Sequence, residues 1–395
     1  MKKRTKTRTF LRPRNLSLFF IPVLALSIGC RKGIIDNKDL RDFQQVNLVA
    51  NNNGYGAPHI DGTLMNAWGL AWSPGGTPWV NSQAGHLSEV YDKDGATVRA
   101  AVAIPSPGDT IGGNPTGIVF NNTKGFLLSN GKAASFIFVG VDGVISGWNG
   151  TAGSGGNRAL LVGNNSATSS YTGLTLAANG TRNLLYAANF RTGKIDVWDT
   201  TWTSVSLPFK DPGLPPGYSP FNIQSVGSWL FVAYAKVGPD GRDQAGEGLG
   251  FVDVFNPDGS WVKRFASRGT LNAPWGITQA PANFYVDPND DNDNSGHGNS
   301  GHGSGDDNRG KGKDNDQTQP TILVGNFGNG YINAYTLDGQ FLGQLRSHNR
   351  PIIIDGLWAL SFAPATATTV DPNRLYFTAG PHKETDGVFG YLIKQ

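Results

Sequence analysis

Asn66-Ala-Trp-Gly-Leu-Ala-Trp72 and Asn114-Pro-Thr-Gly-Ile-Val-Phe120 each open on an asparagine, pass through a glycine and run into an apolar strand. The figure returns at Ser170-Tyr-Thr-Gly-Leu-Thr-Leu176, Ser219-Pro-Phe-Asn-Ile-Gln224, Asn272-Ala-Pro-Trp-Gly-Ile277 and Ile354-Asp-Gly-Leu-Trp-Ala-Leu360. With Gly69, Gly117, Gly173, Asn222, Gly276 and Ala359 as equivalent positions, the spacings are 48, 56, 49, 54 and 83 residues. The last contains a low-complexity insert at 287–319, and without those 33 residues it is 50. A period near 50 with several short strands per unit is the signature of propeller blades, which bury their faces only by stacking on one another. The expected fold is an all-β, six-bladed β-propeller with four antiparallel strands per blade.

The later parts of each unit agree. Lys194–Asp199, Phe251–Asn256 and Tyr331–Thr336 alternate apolar and polar residues, as third strands with one buried face should. Turns of the form Asn-x-x-x-Gly precede them at 189–193 and 326–330, and Asn81–Gly85 has the same frame in the first unit. Asp94-Gly95, Asp258-Gly259 and Asp338-Gly339 mark the hairpins to outer strands, because both residue types tolerate positive φ. The sixth unit stops at a third strand, Gly387–Ile393. Its missing outer strand is expected from Gln44–Ala50, which would close the ring and leave no open edge.

Composition fits a domain of strands and loops: 54 Gly, 23 Pro and 11% aromatic residues in a chain of 395. The single Cys excludes an intramolecular disulfide framework and any multi-cysteine metal site. That Cys is Cys30, and it follows an export signal: seven basic residues and no acid up to Arg14, then the apolar run 16–29, too short for a membrane span. Leu26-Ser27-Ile28-Gly29-Cys30 resembles a lipobox, with Ser27 where a Leu is usual, and makes Cys30 the candidate lipidation site. Residues 1–29 are read as a lipoprotein signal peptide, 30–43 as a polar tether and 44–395 as the propeller. The location implied is the cell envelope, on the periplasmic or outer-membrane face, with secretion as the alternative. Without residues 1–29 the chain has 26 basic and 30 acidic residues, which removes the electrostatic case for nucleic-acid binding. Membrane contact is expected through the lipid only, and the protein as a monomer.

NAWGLAWSP, NPTGIVFN, LYAANFRTGKIDVWD, PFNIQSVG, GFVDVFN, VGNFGNG, IDGLW and LYFTAGP together resemble a family of exported bacterial six-bladed propellers, across roughly 44–395. Some of its members carry a PEP-CTERM sorting signal; this chain has the lipobox-like segment instead. The resemblance implies a fold and no activity. Similarity to NHL-type propellers, lactonases and lyases is at the level of the fold.

In a propeller, the loops entering the innermost strands and those joining second to third strands gather at one mouth of the central channel, the default ligand site. The first set supplies Asn66, Trp68, Tyr218, Asn222, Trp275, Asp355 and Trp358, and the second Asn189, Arg191, Lys236, Asn326 and His382. Asn is also the natural turn residue, and Trp beside Gly often packs between blades, so each has a structural alternative. Arg191 and Lys236 fall at corresponding positions of adjacent blades, where other blades have neutral residues. They make an anionic small molecule the expected ligand, with an envelope protein as the other kind of partner.

The reading is a binding scaffold that works through its channel mouth, and whether it catalyses is left open. The alternative is a lactonase-like, metal-assisted hydrolase or lyase in the channel, for which Asp355 and several Asn are available but no inner-strand start carries Glu. Neither a G-x-S-x-G elbow nor a phosphate loop occurs. No cofactor is expected apart from Ca²⁺, for which Asp287, Asn289, Asp291 and Asp293 space oxygen ligands at alternate positions; the insert is otherwise read as disordered.

Overall fold

The structure, a computed structural model, describes Met1, Ile35, 38–286 and 320–395. The signal segment, Cys30 and the insert with its calcium candidates lie outside the described residues. The rest is a six-bladed β-propeller. Blade 1 runs Ala67–Trp72, Pro78–Ser82, Leu87–Val90, Val102–Ala103; blade 2 runs Pro115–Phe120, Phe136–Gly140, Val144–Trp148, Leu160–Asn164. Blade 4 is Tyr218–Val226, Trp229–Val237, Gly250–Phe255, Trp261–Ser267, and blade 5 is Pro274–Ala280, Thr321–Asn326, Ile332–Thr336, Phe341–Gln344.

Blade 3 differs from the expectation of four strands. Tyr171–Asn179, Arg182–Asn189 and Lys194–Asp199 form its sheet, and the chain beyond makes only one bridge, Trp198 to Ser204. Pro208, Pro212, Pro215 and Pro216 fall in that stretch and cannot donate to a ladder. Leu207, Phe209 and Leu214 pack on the blade as side chains instead.

Ring closure follows the expected route. Phe43–Ala50 pairs antiparallel with Val388–Lys394, from Phe43 opposite Lys394 to Ala50 opposite Val388. The tether reading does not hold for its last residues. Leu40 and Phe43 are fully buried, with Phe43 against Phe284 at 4.9 Å between ring centroids, and Lys394 Nζ donates to the carbonyls of Asp39 and Arg41 at 3.0 and 2.7 Å. Ile35 is buried in the same cluster, and three apolar residues in a polar stretch show no period, yet they dock it.

Each inner strand carries a register shift at the repeated position: Ala67/Leu70, Pro115/Ile118, Tyr171/Gly173, Pro220/Asn222, Pro274/Ile277 and Leu357/Leu360. The bulges lie where neighbouring inner strands meet. A Cβ on Gly69 would stand 2.1 Å from the Thr116 carbonyl oxygen, and one on Gly173 would stand 2.1 Å from Asn222 Oδ1. Glycine recurs because the strands approach too closely for a side chain.

Removing 43–50 strips the outer ladder from blade 6. We expect the truncated chain to aggregate on size-exclusion chromatography, and Phe43→Ala alone to cost about 3–5 kcal/mol in chemical denaturation. A truncated chain that stays monomeric and melts with the wild type would contradict the closure.

Candidate functional site

The inner strands place aromatic side chains just before their bulges. Trp358, with no exposed surface, stacks on Trp68 at 3.5 Å and 14° and on Phe327 at 4.0 Å and 22°, while Trp275 meets it edge-on at 5.9 Å. Phe221 closes the group at 5.7 Å from Trp358. This plug joins blades 1, 4, 5 and 6 across the axis. The residues at and after the bulges, among them Gly69, Gly117, Asn222 and Gly276, line the narrow remainder of the channel.

Trp68, Thr172 and Phe221, each one residue before a repeated position, line a cavity of about 300 Å³ at the mouth. Its walls are Gln83, Val141, Ser170 and Phe190, with Gly241, Arg242, Asp243 and Glu384 above. Two buried polar atoms there have no partner: Trp68 Nε1 and Thr172 Oγ1. The other two plug indoles are satisfied, Trp275 by the Thr172 carbonyl at 2.9 Å and Trp358 by Asn66 Oδ1 at 2.8 Å. An unpaired buried donor costs about 1–3 kcal/mol, and an acceptor in the cavity would recover it.

Two irregular loops deliver the charged groups. Residues 238–249 of blade 4, the longest of the loops between second and third strands, fold with the short strand Asp243–Gln244 paired to Trp229–Val237. Blade 6 contributes the turn Pro381–Glu384, in which His382, Lys383 and Glu384 have φ of 52°, 59° and 69°. Three successive non-glycine residues in the left-handed region are strained, and neighbours hold them. His382 N donates to Asp355 Oδ2 at 3.0 Å, and His382 Nδ1 meets Asp386 Oδ2 at 2.8 Å. Asp386 is itself anchored by Tyr55 at 2.6 Å and Asn51 at 2.9 Å, which hold its carboxyl below the ordinary aspartate value. The turn presents Glu384 to Asn66 Nδ2 at 2.9 Å and to the guanidinium of Arg242, so the two loops bridge the mouth.

Asp243, beside this pair, has only its own backbone N–H as a hydrogen-bond partner among the described residues. Burial, followed by the charge of Glu384, pushes its pKa up to about 6. The cavity therefore holds a carboxyl that gains or loses a proton in mildly acidic solution, beside a second carboxylate already matched by a guanidinium.

The residues singled out in the sequence separate into three groups. Asn189, Asn222 and Asn326 are buried and tie loops and strands together: Asn189 Nδ2 to Asp196 at 2.8 Å, Asn222 Nδ2 to the Trp275 carbonyl at 2.8 Å, Asn326 Nδ2 to the Thr270 carbonyl at 2.7 Å. Trp275 and Trp358 belong to the plug, and Asp355 supports the Glu384 turn. Arg191 and Tyr218 line a cleft of about 500 Å³ beside the mouth, while Lys236 folds over the Tyr218 ring at 5.2 Å and donates to the Pro216 carbonyl at 3.4 Å. Arg191 and Lys236 are thus each held by a backbone carbonyl, of Ser166 and Pro216 respectively. Arg242, Asp243, Glu384, Thr172 and Gln83 escaped the sequence reading, although the excess length of the blade 4 loop marks two of them. Among the described residues, no three His, Cys, Asp or Glu side chains are grouped to hold a metal.

No family model matches the chain. It is 30% identical to uncharacterized protein R648 of Acanthamoeba polyphaga mimivirus, over 98% of this chain and 88% of the relative. Uncharacterized protein L690 of the same virus is also 30% identical, over 89% and 86%. The chain belongs to the family of these proteins. They are viral, and they lend no support to the bacterial origin or the PEP-CTERM association suggested by the sequence phrases. Among solved structures, an α-L-arabinofuranosidase of Fusarium graminearum in complex with arabinobiose superposes with a TM-score of 0.50 at 12% identity, covering 89% of this chain and 98% of that one. Virginiamycin B lyase from Staphylococcus aureus gives 0.45 at 13%, covering 89% and 98%. At such identities the likeness is one of fold.

The Asp243 environment has a measurable sign. Its folded pKa, about 6, lies above the unfolded value of 3.8, so the folded protein binds the extra proton and loses stability as pH rises from about 4 to about 6. Asp243→Asn removes that component, about 3 kcal/mol. In melting curves across this range, the wild type should fall relative to the variant; parallel curves would contradict the assignment.

Proposed function

We propose that this protein is an exported, lipid-anchored propeller that binds a small ligand in its mouth cavity without transforming it. The observation that carries the reading is the mouth cavity itself, about 300 Å³, whose lining residues Trp68 and Thr172 each carry a polar atom without a partner among the described residues. The other two indoles of the plug, by contrast, are hydrogen-bonded. Export and anchoring rest on the basic start, the apolar run and Cys30. Kinship with the exported bacterial propellers belongs to the same proposal.

A second reading, hydrolase or lyase chemistry, is favoured by one feature. A carboxyl raised to about 6 beside Glu384 is a proton donor suited to acid catalysis. Binding alone requires less of the cavity, whose one guanidinium is already committed to Glu384.

Thr172→Val tests the binding reading directly. It replaces an unpaired buried hydroxyl with a methyl on a β-strand, so stability should hold or rise. Against a panel of small metabolites, the wild type should show ligand-induced thermal shifts that the variant lacks, with the ligand recovered unchanged. A variant that melts several degrees lower and keeps the shifts would overturn the reading, and turnover of the ligand would favour the enzyme. Mass spectrometry of the mature N-terminus should find a lipid on Cys30; an unmodified product starting elsewhere would refute the anchor.

A further inference from the structure

The mouth cavity and the cleft beside it share Ser170, Phe190, Gly241 and Arg242, so the two adjoin. Their charges differ. At the mouth, Glu384 is paired with Arg242, and the carboxyl of Asp243 feels that guanidinium but forms no salt bridge among the described residues. In the cleft, Arg191 is exposed and spends one Nη1 bond on the Ser166 carbonyl at 3.0 Å, which leaves donors of its guanidinium for a ligand. Asp240 also lines the cleft, but its Oδ1 is occupied by the backbone N–H of Arg242 at 3.0 Å. The mouth also holds the unpaired Trp68 N–H, which only donates, and the Thr172 hydroxyl, which donates or accepts.

We propose that the ligand is a short zwitterion with an amide at its centre, a dipeptide or a molecule of that chemistry, held with its ammonium at Asp243 and its carboxylate at Arg191. The assignment rests on the mouth cavity being the binding site. Each polar part of such a ligand meets a group with hydrogen-bonding capacity to spare. The ammonium supplies the salt bridge that Asp243 lacks, the amide carbonyl accepts from Trp68 Nε1, and the carboxylate takes a charge-assisted bond from the guanidinium. Phe190, on the shared wall, covers the apolar face between them. A purely anionic ligand would leave Asp243 unmatched and repelled, and a neutral one would leave both ends idle.

Calorimetric titration of the full-length protein with alanylalanine, its N-acetylated form, its C-terminal amide and a set of neutral disaccharides tests this. The free dipeptide should bind, and capping either end should weaken it tenfold or more. Asp243→Asn should cost a similar factor against the free dipeptide and little against the N-acetylated one. Arg191→Ala should do the same with respect to the amide. Capped and free dipeptides binding alike, or disaccharides binding where dipeptides do not, would overturn the zwitterion while leaving the mouth as the site. No binding by any probe, together with Thr172→Val behaving as a purely structural lesion, would remove both.

Discussion

Six inner strands converge on one axis with no room for a Cβ between several of them, and the remaining architecture accommodates that crowding. Glycine at 69 and 173 lets neighbouring backbones touch, and the bulge at each repeated position turns the strand so that the residue before it faces the mouth. Large side chains cannot sit in the narrow part of the channel, so they collect above it. Trp68, Trp275 and Trp358 with Phe221 and Phe327 form a plug that joins opposite blades through ring contacts. The floor of the mouth cavity is therefore a product of the packing that holds the ring together, and it is rigid for the same reason.

The roof is built differently. It comes from two irregular segments, 238–249 and the left-handed turn at 382–384, joined by Arg242 and Glu384. Strain of this kind persists only where surroundings over-determine it, and here Asp355, Asp386, Tyr55 and Asn51 do so. A packed apolar floor beneath a strained polar roof sets Arg242, Asp243 and Glu384 around the same cavity as Trp68 and Phe221. That contrast makes the cavity selective for the polarity of its occupant, beyond its apolar area.

Much of the scaffold was legible because it is periodic. The repeat fixed blade number, the Asp-Gly hairpins appear with φ of 94°, 83° and 95° at Gly95, Gly259 and Gly339, and the unpaired sixth blade pointed to the closing strand. What escaped is what has no period. Prolines cancelled the outer strand of blade 3, and Leu40 and Phe43 docked a stretch whose composition looked like a tether. The candidate site suffered most. Arg191 and Lys236 occupy equivalent places in their blades, but each spends a hydrogen bond on a backbone carbonyl, of Ser166 and Pro216, which the repeat does not announce. Arg242 and Asp243 sit in the one loop that departs from the repeat, and Glu384 is carried by backbone angles that composition does not reveal.

The most direct measurement is a high-resolution crystal structure of the protein purified from its native source, read for density above the plug. The account expects a bound small molecule with an oxygen at hydrogen-bond distance from Trp68 Nε1 and a second polar group at Asp243. A cavity in which Trp68 Nε1 turns to a protein acceptor and Asp243 pairs with a side chain of its own chain would contradict it.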